Sequence, residues 1–324
     1  MEVSQLNAYG RSRALHGFAV FTAWCTLVLI YVGGLVTSTG SGLAVPDWPL
    51  AFGQVFPPMV GGVFYEHGHR MVASLVGLLT VVLTVWIWMR EPRKWVRMLA
   101  LAGVAAVVLQ GLLGGATVLL ELPTAVSVSH ALLAQAFLCV TVALAMVTNP
   151  RWGIRPSLPT ERGKSSLTSA SVATTIIVFL QLLLGALMRH THAGLAIPDF
   201  PLAFGRLIPP LSDPKVVIHF LHRLGALAVA GFVVWTVVRV IRRHPDEPDL
   251  VWPASCLIGL VALQIVLGGL VIWTRMAVVP TTSHVAVGAA ILAFSFFLTL
   301  RLYEVQPTRW PMKTGRLMTE QVPI

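Results

Sequence analysis

Four histidines lie in apolar stretches of a chain that offers few other groups for chemistry. They form two pairs, because the sequence around His69 and His130 is repeated around His222 and His284. The members of a pair are 61 residues apart in the first repeat and 62 in the second. Ionisable side chains within a membrane are costly, so they mark functional sites by default. Because the four positions match, we expect these histidines to bind a ligand rather than to fill a core.

The chemistry that suits such pairs is axial ligation of a heme iron. Two neutral imidazoles that face each other across a helical bundle can bind both axial positions of one iron, while the apolar macrocycle fills the space between the helices. A zinc site is less expected, because no carboxylate or thiolate accompanies the pair at ligand spacing in both halves. The sequence therefore predicts two heme sites, one for each pair.

Three charged residues adjoin the histidines. Arg70 and Arg223 each follow the first histidine of a pair, where a guanidinium can bond a heme propionate or anchor the helix end at the lipid headgroups. Glu66 lies three residues before His69, on the same helical face, and its counterpart in the second repeat is His219. A carboxylate there can serve as a base, a proton carrier or an electrostatic stabiliser, or simply as a charge at a helix N-terminus.

The remaining polar residues of these regions are given structural roles. His67, His190 and His192 have no counterparts in the other repeat, and we predict that they are solvated or lie in loops. Asp47 and Asp199 are predicted to hold turns.

The cysteines point away from chemistry outside the membrane. All three lie within apolar segments, at Cys25, Cys139 and Cys256. The sequence therefore predicts no disulfide and no thiolate metal site in the outer loops.

The composition indicates the kind of fold that positions these side chains. Of 324 residues, 56% are hydrophobic and 11% are charged, and the mean hydropathy is +0.79. A soluble domain carries about 25% charged residues, whereas about 20 apolar residues suffice for one helix to cross a bilayer. We predict an all-α integral membrane protein with eight such segments, at residues 15–36, 66–89, 98–120, 125–147, 167–188, 216–238, 251–274 and 277–300.

The basic residues indicate the topology. They concentrate in the two tails and in the second, fourth and sixth connections between helices. The positive-inside rule makes this side cytoplasmic, with both termini inside. The histidines then lie towards the outer side of a bacterial-type cytoplasmic membrane. The net charge of +10 is a topology signal, and no nucleic-acid partner is expected.

An internal repeat predicts the domain organisation. Residues 42–58 recur as residues 194–210, with 12 of 17 positions identical. An even number of membrane crossings separates the copies, so both have the same orientation. The prediction is two tandem-duplicated four-helix bundles with a cytoplasmic linker and two cytoplasmic tails, divided as 1–14, 15–148, 149–166, 167–300 and 301–324. The repeated loops, which are apolar and rich in proline, are expected to cap the heme pockets.

The repeat, the four histidines and the run from Glu66 to Arg70 (EHGHR) resemble the heme A synthase family. The resemblance implies oxidation of the C8 methyl of heme O to a formyl group, by two hydroxylations and dehydration of the geminal diol. It assigns His69 and His130 to the substrate heme O, His222 and His284 to a heme b cofactor, and Glu66 to the reaction site. It also implies a role in cytochrome oxidase biogenesis, with heme O synthase, the oxidase assembly machinery and an unidentified electron acceptor as partners.

One departure and two alternatives stand beside the resemblance. Many bacterial members carry a cysteine pair in the first outer loop, whereas residues 37–65 contain none, so no step that needs such a pair can operate here. A diheme cytochrome that carries electrons from quinol would use the same histidine pairs without modifying heme. A transporter with parallel repeats would explain the duplication but not the paired histidines.

Overall fold

Eight long α-helices account for nearly all of the regular structure. The computed structural model describes residues 13–153 and 167–305, and within them no strand forms beyond two isolated bridges in the loops. The helices are α1 (Arg13–Ser38), α2 (Gly62–Arg90), α3 (Lys94–Leu119), α4 (Thr124–Val147), α5 (Leu167–His190), α6 (Pro214–Arg243), α7 (Pro248–Trp273) and α8 (Val278–Glu304). Each is long and apolar enough to cross a membrane. The predicted all-α membrane architecture with eight spans is thus confirmed.

Several helices are up to a turn or so longer than the apolar segments that predict them. The clearest extension is in α6, which continues from residue 238 to Arg243. Long basic side chains at helix ends can bury their stems in apolar surroundings and keep their charge in water. Hydropathy detects only the apolar middle of a span, so it underestimates the helix ends.

Two rings of four helices make up the body. Helix α1 packs on α2, α2 on α3, α3 on α4 and α4 on α1, and helices α5 to α8 pack in the same cyclic order. The rings meet where α1 contacts α8, α4 contacts α5, and α4 contacts α8. Ile30, Leu138 and Ala289 form a buried cluster at this junction. These contacts agree with two similar halves, while duplication and the proposed domain limits stay predictions.

The two outer connections fold alike. In each, an isolated bridge closes a tight turn, between Ala51 and Gln54 in the first and between Ala203 and Arg206 in the second. The glycine within each turn has a φ near +70°, a region that a residue without a Cβ enters at little cost. The predicted tail before residue 13, most of the predicted linker and the tail after residue 305 lie outside the described residues.

Candidate functional site

Each of the four predicted histidine ligands packs its ring against a glycine of a neighbouring helix. A Cβ added to that glycine would lie 3.0 to 3.4 Å from the ring carbon Cε1. The contacts are His69 with Gly33, His130 with Gly114, His222 with Gly185 and His284 with Gly268. The absence of a side chain at these glycines therefore provides the space in which each imidazole lies. The four glycines lie at matched places in the two rings of helices.

The spacing of the second pair suits one metal ion. The ring centroids of His222 and His284 are 6.3 Å apart, with an angle of 61° between the ring planes. Two imidazoles that each bind a metal at about 2.1 Å place their centroids roughly 6 to 6.5 Å apart. In the described part of the chain, the Nδ1 atoms of His69, His130 and His284 are buried without a hydrogen-bond partner. His67 Nδ1 shares this feature without being a candidate ligand, so it is the ring spacing of His222 and His284 that fits a heme group.

Two glutamines adjoin the second pair. The Gln181 side-chain amide donates to the His222 carbonyl at 2.8 Å and lies 3.1 Å from His222 Nδ1. The Gln264 amide donates to the His284 carbonyl at 3.0 Å and lies 3.4 Å from the Nε2 atom of that ring. Gln264 has a counterpart in Gln110, whereas the position that matches Gln181 is a leucine. The second pair is therefore held by polar contacts that the first pair has only in part.

Glu66 and His219 perform the same structural task. Glu66 is 4% exposed, and its Oε2 accepts a hydrogen bond from the Val45 backbone N–H at 2.9 Å. His219 is 3% exposed, and its Nδ1 accepts one from the Ile197 N–H at 3.2 Å. Val45 and Ile197 are matching residues of the two outer loops. Each side chain thus ties its loop to the helix that carries the first histidine of the pair.

The arginines secure the same loops. Arg70 donates to the carbonyls of Asp47 and Leu50 at 2.8 and 2.9 Å, and to Glu66 Oε1 at 2.6 Å. Arg223 donates in the same way, to the carbonyls of Asp199 and Leu202, both at 2.7 Å. We expected these arginines to anchor the helix end at the headgroups or to bind a propionate. Their contacts show a third role, which is to hold the outer loops in place. Binding of a propionate by these arginines stays a prediction.

The loop aspartates hold turns, as predicted. Asp47 accepts hydrogen bonds from the backbone N–H groups of Phe52 and Gly53 at 2.7 and 2.8 Å. The N–H groups of Gly53 and Phe52 lower the pKa of the Asp47 carboxyl below its usual value. Asp199 accepts the equivalent pair of bonds, and the N–H of Gly205 is the main cause of its lowered pKa.

An aromatic ring of each loop reaches the helices beside the histidines. A Cβ on Gly115 would lie 2.7 Å from the Trp48 ring, and one on Gly269 would lie 3.2 Å from the Phe200 ring. These glycines therefore admit a loop side chain. The loops are thus fixed over the same end of the bundle that carries the histidines, in the position expected of caps.

Other expectations need correction. His67 is 6% exposed and its Nε2 lies 3.0 Å from the Val55 carbonyl, so the prediction that it is solvated or in a loop is wrong. His190 ends α5 and is half-buried, whereas His192 is exposed in the loop as predicted. The three cysteines are free and half-buried. His67 was overlooked because, in the EHGHR run, it is His69 and Arg70 that recur in the second repeat.

Sequence reasoning also missed Arg189. Its Nη2 donates to the Ser38 hydroxyl at 2.8 Å and reaches the Gly34 carbonyl at 3.3 Å, so it connects α5 to α1 across the junction of the two rings. The signal was available, because Arg189 is a lone arginine at the end of an apolar segment, on the side where few basic residues occur.

The chain matches a known protein family. The profile of the family described as "Cytochrome oxidase assembly protein" matches residues 59–296, about three quarters of the chain. The chain belongs to this family. A relative from Symbiobacterium thermophilum named heme A synthase is 34% identical over 264 residues, which cover 80% of this chain and 85% of the relative. Proteins of the same name from Halalkalibacterium halodurans and Alkalihalophilus pseudofirmus are 29% and 28% identical, over 89% and 87% of this chain and 95% of each relative.

Membership in this family agrees with the geometry of the site. The matched region begins in the first outer loop and extends through most of α8, so it contains both histidine pairs and both arginines. The family consists of oxidase assembly proteins, and the relatives are named heme A synthase. In such a family, paired histidines at the end of a helical bundle are expected to hold heme.

Proposed function

We propose that the protein is a heme A synthase, an enzyme that converts the C8 methyl of heme O to the formyl group of heme A for cytochrome oxidase assembly. The observation that carries the proposal is the coincidence of the family match with two half-buried histidine pairs, one of which has the ring spacing of a bis-imidazole site. Relatives named heme A synthase support it over most of the chain. The alternative of a diheme cytochrome that only carries electrons has no support from the family or from these names.

The two pairs are assigned different tasks. His222 and His284 would hold a resident heme b, because Gln181 and Gln264 bond the backbone carbonyls of both histidines and a permanent cofactor benefits from fixed ligands. His69 and His130 would hold the substrate heme O. When bound, the second heme supplies one-electron redox chemistry beside the substrate site. The separation of roles is supported by the unequal polar contacts of the two pairs.

The chain's own residues bind and orient the substrate and move a proton. The apolar bundle accommodates the isoprenoid tail of heme O, and the capping loops exclude water from the outer end. Glu66 is the candidate proton acceptor, because it lies one turn from His69 and is buried. One carboxylate oxygen of Glu66 accepts a bond from Arg70, and the other accepts a bond from the Val45 N–H. The bond to Val45 orients the carboxylate and fixes the loop at the same time.

The arginines retain the capacity to bind propionates. The terminal nitrogens of Arg70 and Arg223 donate to loop carbonyls, and a guanidinium has five N–H donors. A heme carboxylate near these loops would therefore add to the existing bonds, or replace some of them.

The cellular setting follows from the helices and from the family. The protein is a multi-pass membrane protein, and we place both termini in the cytoplasm and the histidine pairs towards the outer side. Heme O synthase as supplier of the substrate, the oxidase assembly machinery as recipient of the product, and a separate electron acceptor are the partners that this reaction needs.

The proposal is tested by identifying the hemes made in cells. Membranes that contain heme O synthase with or without this protein are extracted, and the hemes are separated by chromatography. We expect heme A only when the protein is present, and H222A or H284A should remove the low-spin bis-imidazole spectrum of the second site. Heme O that stays unconverted, in a preparation with normal heme content and both low-spin signals, would contradict the proposal.

The role of Glu66 is tested with a substitution that the fold already uses. Glu66→His replaces the carboxylate by the side chain that anchors the second loop, and Glu66→Gln keeps the size without the charge. If Glu66 accepts a proton, Glu66→Gln should bind heme normally and lower conversion by about 100-fold or more, whereas Glu66→His, which keeps a basic nitrogen and a loop anchor, should lose less. His219→Glu is the matched control and should leave conversion close to normal. Near-normal output from Glu66→Gln would reduce Glu66 to an anchor for the loop.

A further inference from the structure

The clearest difference between the two histidine pairs lies on the helix that precedes each of them. Helix α5 presents Gln181, Gly185 and Arg189 at intervals of four residues, which places them on one face. Gly185 contacts the His222 ring, so Gln181 lies one turn to one side of that contact and Arg189 one turn to the other. The matching residues of α1 are a leucine, Gly33 and Thr37. This face of α5 therefore carries a cation, whereas the matching face of α1 carries none.

Arg189 is fixed in a half-buried position between the rings of helices. Its Nη2 donates to the Ser38 hydroxyl at 2.8 Å, and Ser38 in turn accepts from the Thr282 hydroxyl at 2.9 Å. Thr282 is two residues from His284 on α8, and the guanidinium is close enough to that ring for electrostatic interaction. The side chain thus joins α5 to α1 and, through Ser38, to the start of α8.

Arg189 differs from other arginines of the described chain in its charge partners. Within residues 13–153 and 167–305, no carboxylate forms an ion pair with it. This contrasts with Arg70, Arg93 and Arg301, each of which pairs with a glutamate. A cation in low-dielectric surroundings is costly to keep unpaired, and its field reaches further than it would in water. The position therefore favours a negative charge supplied by a ligand.

We propose that Arg189 is a positioning residue that stabilises negative charge on the heme held by His222 and His284, and so raises the reduction potential of that heme. The proposal rests on the proposed function, since it needs a heme at the second pair. Reduction adds one electron to the iron, and a fixed cation nearby favours the reduced form over the oxidised form. The same cation attracts the heme carboxylates, which strengthens retention of the cofactor.

A purely structural role would leave a different signature. If Arg189 served only to join α5 to α1, then any side chain that donates to Ser38 and to the Gly34 carbonyl would replace it. A glutamine can supply those N–H groups without the charge, and a lysine can supply the charge without the planar guanidinium. The reduction potential therefore distinguishes charge from hydrogen bonding, because only the loss of charge affects it strongly.

The experiment is an optical redox titration of the purified heme-loaded protein, with dithionite and ferricyanide as reductant and oxidant. The variants are Arg189→Gln, Arg189→Thr, which introduces the residue of the matching α1 position, and Arg189→Lys. Arg206→Thr is the control, because Arg206 is an exposed arginine of the second outer loop and water screens its charge. Heme content and the low-spin spectrum of each preparation are measured first.

We expect the midpoint of the second heme to shift to more negative values in the Gln and Thr variants, while the Lys variant and the Arg206 control stay close to the parent protein. Loss of the second heme from both uncharged variants, with retention in the Lys variant, would support the same role. A Gln or Thr variant that binds heme at the parental potential would overturn the proposal, as would a Lys variant that shifts as far as the Gln variant. Absence of any second low-spin heme in the parent protein would instead refute the proposed function.

Discussion

Replacement of Gly185 by alanine should separate heme binding from helix stability. A Cβ at this position would lie 3.2 Å from Cε1 and 3.6 Å from Nδ1 of the His222 ring. The first distance is shorter than an ordinary contact, so the ring or α5 must move by a few tenths of an ångström. The His222 ring cannot easily move, because the Gln181 amide holds its backbone carbonyl and lies against its Nδ1 atom.

Two opposed effects set the magnitude. Overpacking of a well-packed site costs about 1–3 kcal/mol, which corresponds to roughly 5- to 150-fold weaker binding of the heme. Alanine is also favoured over glycine within a helix, by up to about 1 kcal/mol. The helix preference therefore offsets part of the overpacking cost, so the heme-free variant should unfold only a few degrees below the heme-free parent, while it binds heme less tightly.

Gly231 on α6 provides the matched control. A Cβ added there has no atom within 4 Å, so Gly231→Ala gains the same helix preference without crowding a histidine. Heme affinity is measured from transfer to excess apomyoglobin, and unfolding is followed in the heme-free state. Equal heme affinity in the two variants would show that the glycine is not needed to seat the His222 ring, and the interpretation of all four histidine–glycine contacts would fail with it.

Two further predictions concern groups outside the histidine pairs. Simultaneous replacement of Cys25, Cys139 and Cys256 by alanine should leave conversion of heme O intact apart from small packing losses, because all three thiols are free and half-buried; complete loss of turnover in a folded, heme-loaded variant would reveal thiol chemistry. For Asp47, backbone N–H bonds lower the pKa in the folded protein, so its contribution to loop order is present above the usual carboxyl pKa of about 4 and is lost as the pH falls through the lowered value. Hydrogen exchange of residues 47–54 should therefore stay slow at pH 5 in the parent and be faster in Asp47→Asn, and equal exchange in both would contradict the proposed role of the carboxylate.

The helices and the histidine positions could be predicted because they depend on local or repeated patterns. An apolar run of about 20 residues between charged ends has few alternatives to a membrane span. The pairing of His222 with His284 followed from matched positions in two repeats, and the 6.3 Å between their rings agrees with it. The turn roles of Asp47 and Asp199 were also accessible, since each carboxylate bonds backbone N–H groups only five and six residues further along the chain.

What the sequence concealed are contacts between distant helices. Gly185 and His222 are 37 residues apart, and only packing of α5 on α6 shows that one receives the ring of the other. Arg189 contacts Ser38, which is 151 residues away, so no local pattern could place it between the rings. His67 was misjudged for the same reason, because its partner carbonyl belongs to a loop whose path depends on tertiary contacts.

The two halves differ at several places, and these differences do not carry equal weight. Glu66 against His219 is the difference that the sequence makes most visible, yet both side chains accept a hydrogen bond from the matching loop residue. That exchange of one acceptor for another is compatible with a purely structural role at both positions. Arg189 against Thr37 is different in kind, because it changes the net charge beside one histidine pair and no described carboxylate compensates for it. A permanent heme gains from a fixed cation and oriented ligands, whereas a substrate that must leave gains from their absence. The assignment of the second pair to the resident cofactor therefore depends more on the α5 face than on Glu66, and it would survive even if Glu66 proved to be only an anchor.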